Sequence, residues 1–133
     1  MPTIFTKIIS GEIPSYKVAE TEKHLAFLDI RPLAKGHTLC IPKKENDFIY
    51  DLPDNELTEL VLFSKKIALI LRDKMDCKRV GVTVIGTEVP HTHIHLVPFQ
   101  KESQMCFDSP RVEMSPEEMT QLAANLKAEF DNL

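Results

Sequence analysis

The chain has 133 residues, 43% of them apolar and 27% charged, with 9 Pro against 4 Gly. That is the size and make-up of one globular domain, and it excludes disordered, collagen-like and low-complexity chains. A net charge of -4, from 16 basic against 20 acidic side chains, would repel a polyanion and argues against nucleic acid as the main partner.

Cys40, Cys77 and Cys106 fall in no paired motif and read as reduced thiols. The opening residues to Ile9 lack a long apolar run with a cleavage site, and the run from Val61 to Leu71 is broken by Ser64, Lys65 and Lys66. A cytoplasmic location without a membrane partner is therefore expected.

In chain order, Ile4, Phe5, Ile8 and Ile9 sit at helical spacing before Gly11, a C-cap, and Pro14, which predicts a short opening helix. A hairpin follows: Tyr16 to Ala19, a turn at Thr21-Glu22-Lys23, then an alternating strand from Leu25 to Ile30. Arg31-Pro32 ends it, Lys35-Gly36 turns the chain, and His37 to Ile41 forms a third strand closed by Pro42.

A long helix is expected from about Leu52 to Met75, with Leu57, Leu60, Val61, Ser64, Ile67, Ala68, Leu71 and Met75 on its apolar stripe and Pro53 near its start. Val80, Val82 and Val84 alternate with Gly81, Thr83 and Ile85 in a fourth strand. A fifth, paired with it, runs from His91 to about Phe99 beyond the turn Gly86 to Pro90. Gln100 to Glu113 reads as loop, and Ser115-Pro116-Glu117-Glu118 opens a last helix reaching about Phe130. The order of elements indicates α+β with a largely antiparallel sheet, one domain over 1–133 with its core in 3–99 and a C-terminal loop and helix in 100–133.

Four of the five histidines lie in two of these strands. His91, His93 and His95 occupy alternate positions and so share one face, while Thr92, Ile94 and Leu96 take the other, a core face. Two chemistries fit three imidazoles in register. One is a transition-metal site, but His91 and His95 would stand roughly 13 Å apart at about 3.3 Å per residue, so another ligand, Glu88 or His37, would be needed. The other is a nucleophile: the middle imidazole attacks an electrophilic phosphorus while its second nitrogen is held by a neighbour, with no metal required.

The run His91-Thr92-His93-Ile94-His95-Leu96-Val97 resembles the signature of the histidine-triad (HIT) nucleotide hydrolases and transferases. The resemblance extends upstream through Ile4-Phe5-Thr6-Lys7-Ile8-Ile9, Glu12-Ile13-Pro14, Leu25 to Pro32, and Gly36-His37-Thr38-Leu39-Cys40-Ile41-Pro42-Lys43-Lys44. It implies a HIT-like fold: a five-stranded antiparallel sheet with a long helix and short N- and C-terminal helices, its sheet pairing with a second copy in a homodimer. It also implies that His93 attacks the α-phosphorus of a nucleotide to give a nucleotidyl-histidine that water resolves. His95 and His37 support at the phosphate, and His91 orients the nucleophile. Asp29 would hold the ribose hydroxyls as a two-bond acceptor, while Ile30, Phe5, Ile8 and Leu28 would wall the base, a purine by preference.

Three departures accompany the resemblance. Thr3 and Thr6 stand where many bacterial relatives carry two zinc-binding cysteines, so no such metal and no cofactor is expected. Only Gly86 to Pro90 separates the fourth strand from the triad, and Glu88 lies near where the leaving group is contacted. A carboxylate there would act as general acid or repel an anion, favouring an uncharged leaving group. The tail beyond Phe99 looks more like the longer bacterial members. The expected activity is hydrolysis or transfer on nucleoside monophosphate conjugates, phosphoramidates or dinucleoside polyphosphates. The alternatives are a nucleotide-binding regulatory module with little turnover and a zinc-dependent hydrolase.

Overall fold

A computed structural model describes residues 2–133. It contains α1 (Ile4–Ser10), β1 (Lys17–Glu20), β2 (His24–Leu28), β3 (Thr38–Pro42), α2 (Asp54–Lys74), β4 (Arg79–Thr83), β5 (Ile94–Phe99) and α3 (Pro116–Asp131). Single 3-10 turns lie at Ile49–Asp51 and Glu102–Met105. The five strands form one antiparallel sheet in the order β1-β2-β3-β5-β4.

The helix boundaries follow local chemistry. Thr3 caps α1 by accepting the Phe5 and Thr6 amides, and Gly11 ends it at φ 86°, a left-handed conformation that costs glycine little. Ser115 and Glu118 form a reciprocal capping box at the start of α3, with Pro116 at the first helical position. On α2 the buried residues are Leu60, Phe63, Ser64, Ile67, Ile70 and Leu71, spaced by three and four. Val61, expected on that stripe, is instead turned outward with Leu62.

Period-2 alternation divides the core. Ala26, Leu28, Cys40, Ile94 and Leu96 face α2 and α3, where they meet Leu60, Ile67, Leu71, Met119, Ala123 and Leu126. Leu25, Phe27, Leu39 and Ile41 face the other way and are covered by Phe5 and Ile8 of α1. Both faces of β2 and β3 are thus buried, and each fully buried Leu or Ile contributes roughly 1.5–3 kcal/mol. A third cluster, Leu33, Ala34 and Val97, is covered by Phe99, Met105 and Phe107 from the segment after β5.

Several boundaries differ from the sequence expectation. The fifth strand starts at Ile94 rather than His91, because Cys40 pairs with Ile94 and the continuation would set Thr92 against Pro42. Proline has no N–H for the ladder, and the Thr92 amide instead donates to Asn46 O at 2.6 Å. Thr92 also meets Asn46 through its hydroxyl, not an apolar face. The second strand stops at Leu28 rather than Ile30, since Asp29 Oδ1 takes the Arg31 N–H at 2.8 Å and turns the chain. The C-terminal helix is not short: its 16 residues supply Met119, Ala123 and Leu126 to the main core. The stretch 100–113 is not plain loop but carries the second 3-10 turn. The three cysteines are free thiols, and no helix among the described residues is long and apolar enough to cross a membrane.

Candidate functional site

His95 extends from β5 on the face that α1 covers, and the bend before the strand places His93 beside it, with ring centroids 4.8 Å apart. Phe5 lies edge-on to both His93 (5.0 Å) and His91 (5.8 Å). Phe107 is likewise edge-on, 4.7 Å from His95 and 6.2 Å from His37. Between these aromatic walls His93 and His95 open onto a cleft of about 370 Å³, while His37 and His91 are fully buried behind them.

The hydrogen bonds fix which nitrogen carries each proton, because a carbonyl only accepts and an amide N–H only donates. His93 Nδ1 is 2.7 Å from His91 O, so Nδ1 carries the hydrogen and Nε2 keeps its lone pair. The Leu33 amide donates to His37 Nδ1 at 3.0 Å. His37 Nε2 is therefore the protonated nitrogen and donates to His95 Nδ1 at 3.0 Å, which leaves the hydrogen of His95 on its Nε2. His91 donates its Nε2–H to Pro42 O at 2.8 Å, and its Nδ1 lies 3.5 Å from Thr3 Oγ1, the cap of α1.

Burial favours the neutral form of His37, His95 and His93. It pushes His37 down to about 4 and His95 to about 3, with the Arg111 charge adding to both. Asp29, with Oδ2 at 3.6 Å from His37 Nε2, opposes the shift at His37. Burial also lowers His93, against the raising effect of its bond to the His91 carbonyl. At neutral pH the site therefore presents an electron-pair donor, His93 Nε2, next to a hydrogen-bond donor, His95 Nε2–H. That combination suits attack on a centre that gathers negative charge.

Of the residues expected from sequence, His93, His95, Asp29, Ile30, Phe5 and Glu88 line the cleft. Ile8 and Leu28 do not. Ile8 packs under α1 with Phe27 and Leu39, and Leu28 lies on the opposite face of the sheet in the main core. Sequence reasoning missed Ile4, Leu39, Asp108 and Arg111. Arg111 is 80 residues from Arg31, whose carbonyl it bonds, and no local signal joins the two.

The same hydrogen bonds bear on metal binding. His91 and His93 each spend one nitrogen on a main-chain carbonyl and do not converge on a shared point with Glu88 or His37. Among the described residues, the ligand atoms that do converge are those of Asp29, His37 and His95, all within 4.8 Å. A metal needs the Nε2 lone pair of His37, yet the Leu33 amide holds that ring as its Nε2–H form, so the trio does not fit an ion. Thr3 and Thr6, 3.4 Å apart through their hydroxyls, are neutral oxygens engaged in capping, unlike the thiolate and imidazole ligands zinc prefers.

The HIT domain pattern matches residues 10–102 of the chain. The chain is 41% identical over 100 residues to an adenosine 5'-monophosphoramidase of Saccharomyces cerevisiae; this covers 74% of the chain but only 63% of the yeast protein, less than two thirds of its length. It is 32% identical over 132 residues to an adenosine 5'-monophosphoramidase of Schizosaccharomyces pombe, covering 98% of the chain and 99% of that relative. A solved Hit-like protein involved in cell-cycle regulation from Bartonella henselae is similar at a TM-score of 0.83 and 30% identity, with 96% of this chain and 95% of that one covered.

Proposed function

The chain belongs to the histidine triad family, and from that premise we propose that it cleaves nucleoside monophosphate conjugates at the α-phosphorus through a nucleotidyl intermediate on His93. The observation that carries this reading is the 2.7 Å bond from His93 Nδ1–H to His91 O, which commits Nε2 to the cleft as a lone pair. His93 Nε2 forms the bond to phosphorus as the leaving group departs with its electron pair. Water then attacks phosphorus, the P–N bond breaks, and the nucleoside monophosphate is released.

His95 Nε2–H donates to a phosphoryl oxygen and is held in that tautomer by His37, itself held by the Leu33 amide. His91 acts through its carbonyl on His93. Asp29 takes the ribose hydroxyls and Ile30 with Phe5 the base, with Ile4 and Leu39 extending that apolar wall. The yeast relatives are adenosine 5'-monophosphoramidases by name, which supports a purine nucleotide as the group transferred.

The test is release of AMP from an adenosine phosphoramidate and from a diadenosine polyphosphate, in excess chelator, by the parent and by His93→Ala. Release by the parent alone, with a nucleotide trapped on His93 after alkaline quench, is expected. Tight mononucleotide binding without release from either substrate would replace the reading with a regulatory binding module. Loss of activity to the chelator would replace it with a metalloenzyme.

A homodimer belongs to the same proposal. β4 is an edge strand with Val82 exposed, Val84 just beyond its end is exposed too, and α2 turns Val61 and Leu62 outward. An unpaired strand beside apolar side chains supports pairing with a second copy.

A further inference from the structure

The cleft has a second wall that the mechanism above leaves unused. Arg31 and Arg111 both line it, and both also line an adjoining cavity bounded by residues 111–115. Arg111 is half-buried and anchored: one terminal nitrogen donates to Arg31 O at 2.7 Å, the other to Phe107 O at 3.1 Å, and the guanidinium lies 5.5 Å from the Phe107 ring centroid. The same Phe107 ring packs on His95. Two of the five guanidinium donors are thus spent on the main chain and three remain. Among the described residues, neither arginine forms an ion pair.

Resting on the α-phosphorus reading, we propose that Arg111, flanked by Arg31, receives the leaving group, and that this leaving group is a phosphate-type anion, making nucleoside phosphoanhydrides the preferred substrates. The acidic groups nearby do not cancel this. Asp29 gives one oxygen to the Arg31 amide, and Glu118 is bonded to the Ser115 amide. Glu88, Asp108 and Glu113 are exposed, so water and salt screen them, whereas the anchored guanidinium keeps its field and its fork geometry. The expectation that Glu88 selects an uncharged leaving group is therefore outweighed.

In the step itself, His93 Nε2 bonds to the α-phosphorus and the bond to the bridging oxygen breaks, with the electron pair staying on that oxygen. The departing phosphate leaves as an anion beside Arg111 and needs no proton, whereas an amine must take one as it departs. Water then restores His93 and releases the nucleoside monophosphate.

The test compares kcat/KM for diadenosine tetraphosphate with that for an adenosine phosphoramidate, in the parent and in Arg111→Ala. Their ratio is independent of the fraction of enzyme that is folded. It should fall about 10- to 100-fold, the effect of losing a hydrogen bond to a charged group. Arg111→Lys should give a smaller fall, because it keeps the charge and loses the fork. Arg31→Ala, whose exposed side chain forms no hydrogen bond or ion pair among the described residues, should lower the ratio in the same direction. An unchanged ratio in Arg111→Ala, or a parent that cleaves only the phosphoramidate, overturns the inference and leaves the α-phosphorus reading standing. A parent that cleaves neither overturns both. An acyl adenylate serves as a third substrate: a loss on it as large as that on the tetraphosphate overturns the phosphate assignment in favour of any anion.

Discussion

Acidification from pH 7.5 to pH 5 reaches the interior of the site without a mutation. Burial holds His37 at about 4 and His95 at about 3, against about 6.5 for histidine in an unfolded chain. Both native values lie below the unfolded one, so the unfolded chain takes up protons first as pH falls. The stability from these two rings is complete above about pH 6.5 and is lost progressively toward the native values. At pH 5 the native rings are still largely neutral, and the loss is about 2 kcal/mol for each, about 4 kcal/mol together.

Against a total of about 5–15 kcal/mol for a domain, that is a large fraction. His93 and His24, also lowered by burial, act in the same direction. Glu20, held low by Lys43, and Glu118, held low by the Ser115 amide, lose their charge only at more acid pH. Urea denaturation followed by circular dichroism is the assay. With a slope of about 2 kcal/mol/M the midpoint should drop by about 2 M. A drop below about 0.5 M, or the same drop in His37→Gln/His95→Asn, would refute the neutral buried pair.

Two further outcomes are expected. Thr3→Val removes the cap of α1 and the hydroxyl 3.5 Å from His91 Nδ1; it should cost about 1 kcal/mol in urea denaturation and lower kcat by up to about tenfold with KM held. A stability loss with kcat unchanged would separate the cap from the triad. Val82→Lys places a charge on the exposed edge of β4 and should weaken self-association by more than about tenfold, read by sedimentation velocity. An unchanged assembly would move the interface elsewhere.

Much of the molecule is legible locally. Alternation gives the five strands, and the caps at Thr3, Gly11 and Ser115 set helix ends because each satisfies its own helix's amides or carbonyls. The triad residues and His37 are legible because imidazoles are rare and their spacing is regular. What escapes depends on distant partners. Whether Leu28 lines a cleft or a core turns on which side of the sheet α2 packs, and Val61 reads as core because helical periodicity alone does not say how wide the buried stripe is. The segment carrying Phe107 and Arg111 reads as loop since its order comes from Leu33, Ala34 and the carbonyl of Arg31, all more than sixty residues earlier. The tautomers are likewise invisible, being set by Leu33 and His91 main-chain atoms that any side chain would supply.

The late position of β5 and α3 bears on how the molecule is made. β5 lies between β3 and β4, and Leu126 of α3 is buried against the first strands. A ribosome working at about 5–20 residues per second spends several seconds between delivering β3 and delivering β5. During that interval β3 has an unfilled edge and the His37 ring has no His95 to receive its proton. The nascent chain therefore passes through a stage in which an edge of β3 is open and His37 lacks its hydrogen-bond partner, and both conditions end together when β5 inserts.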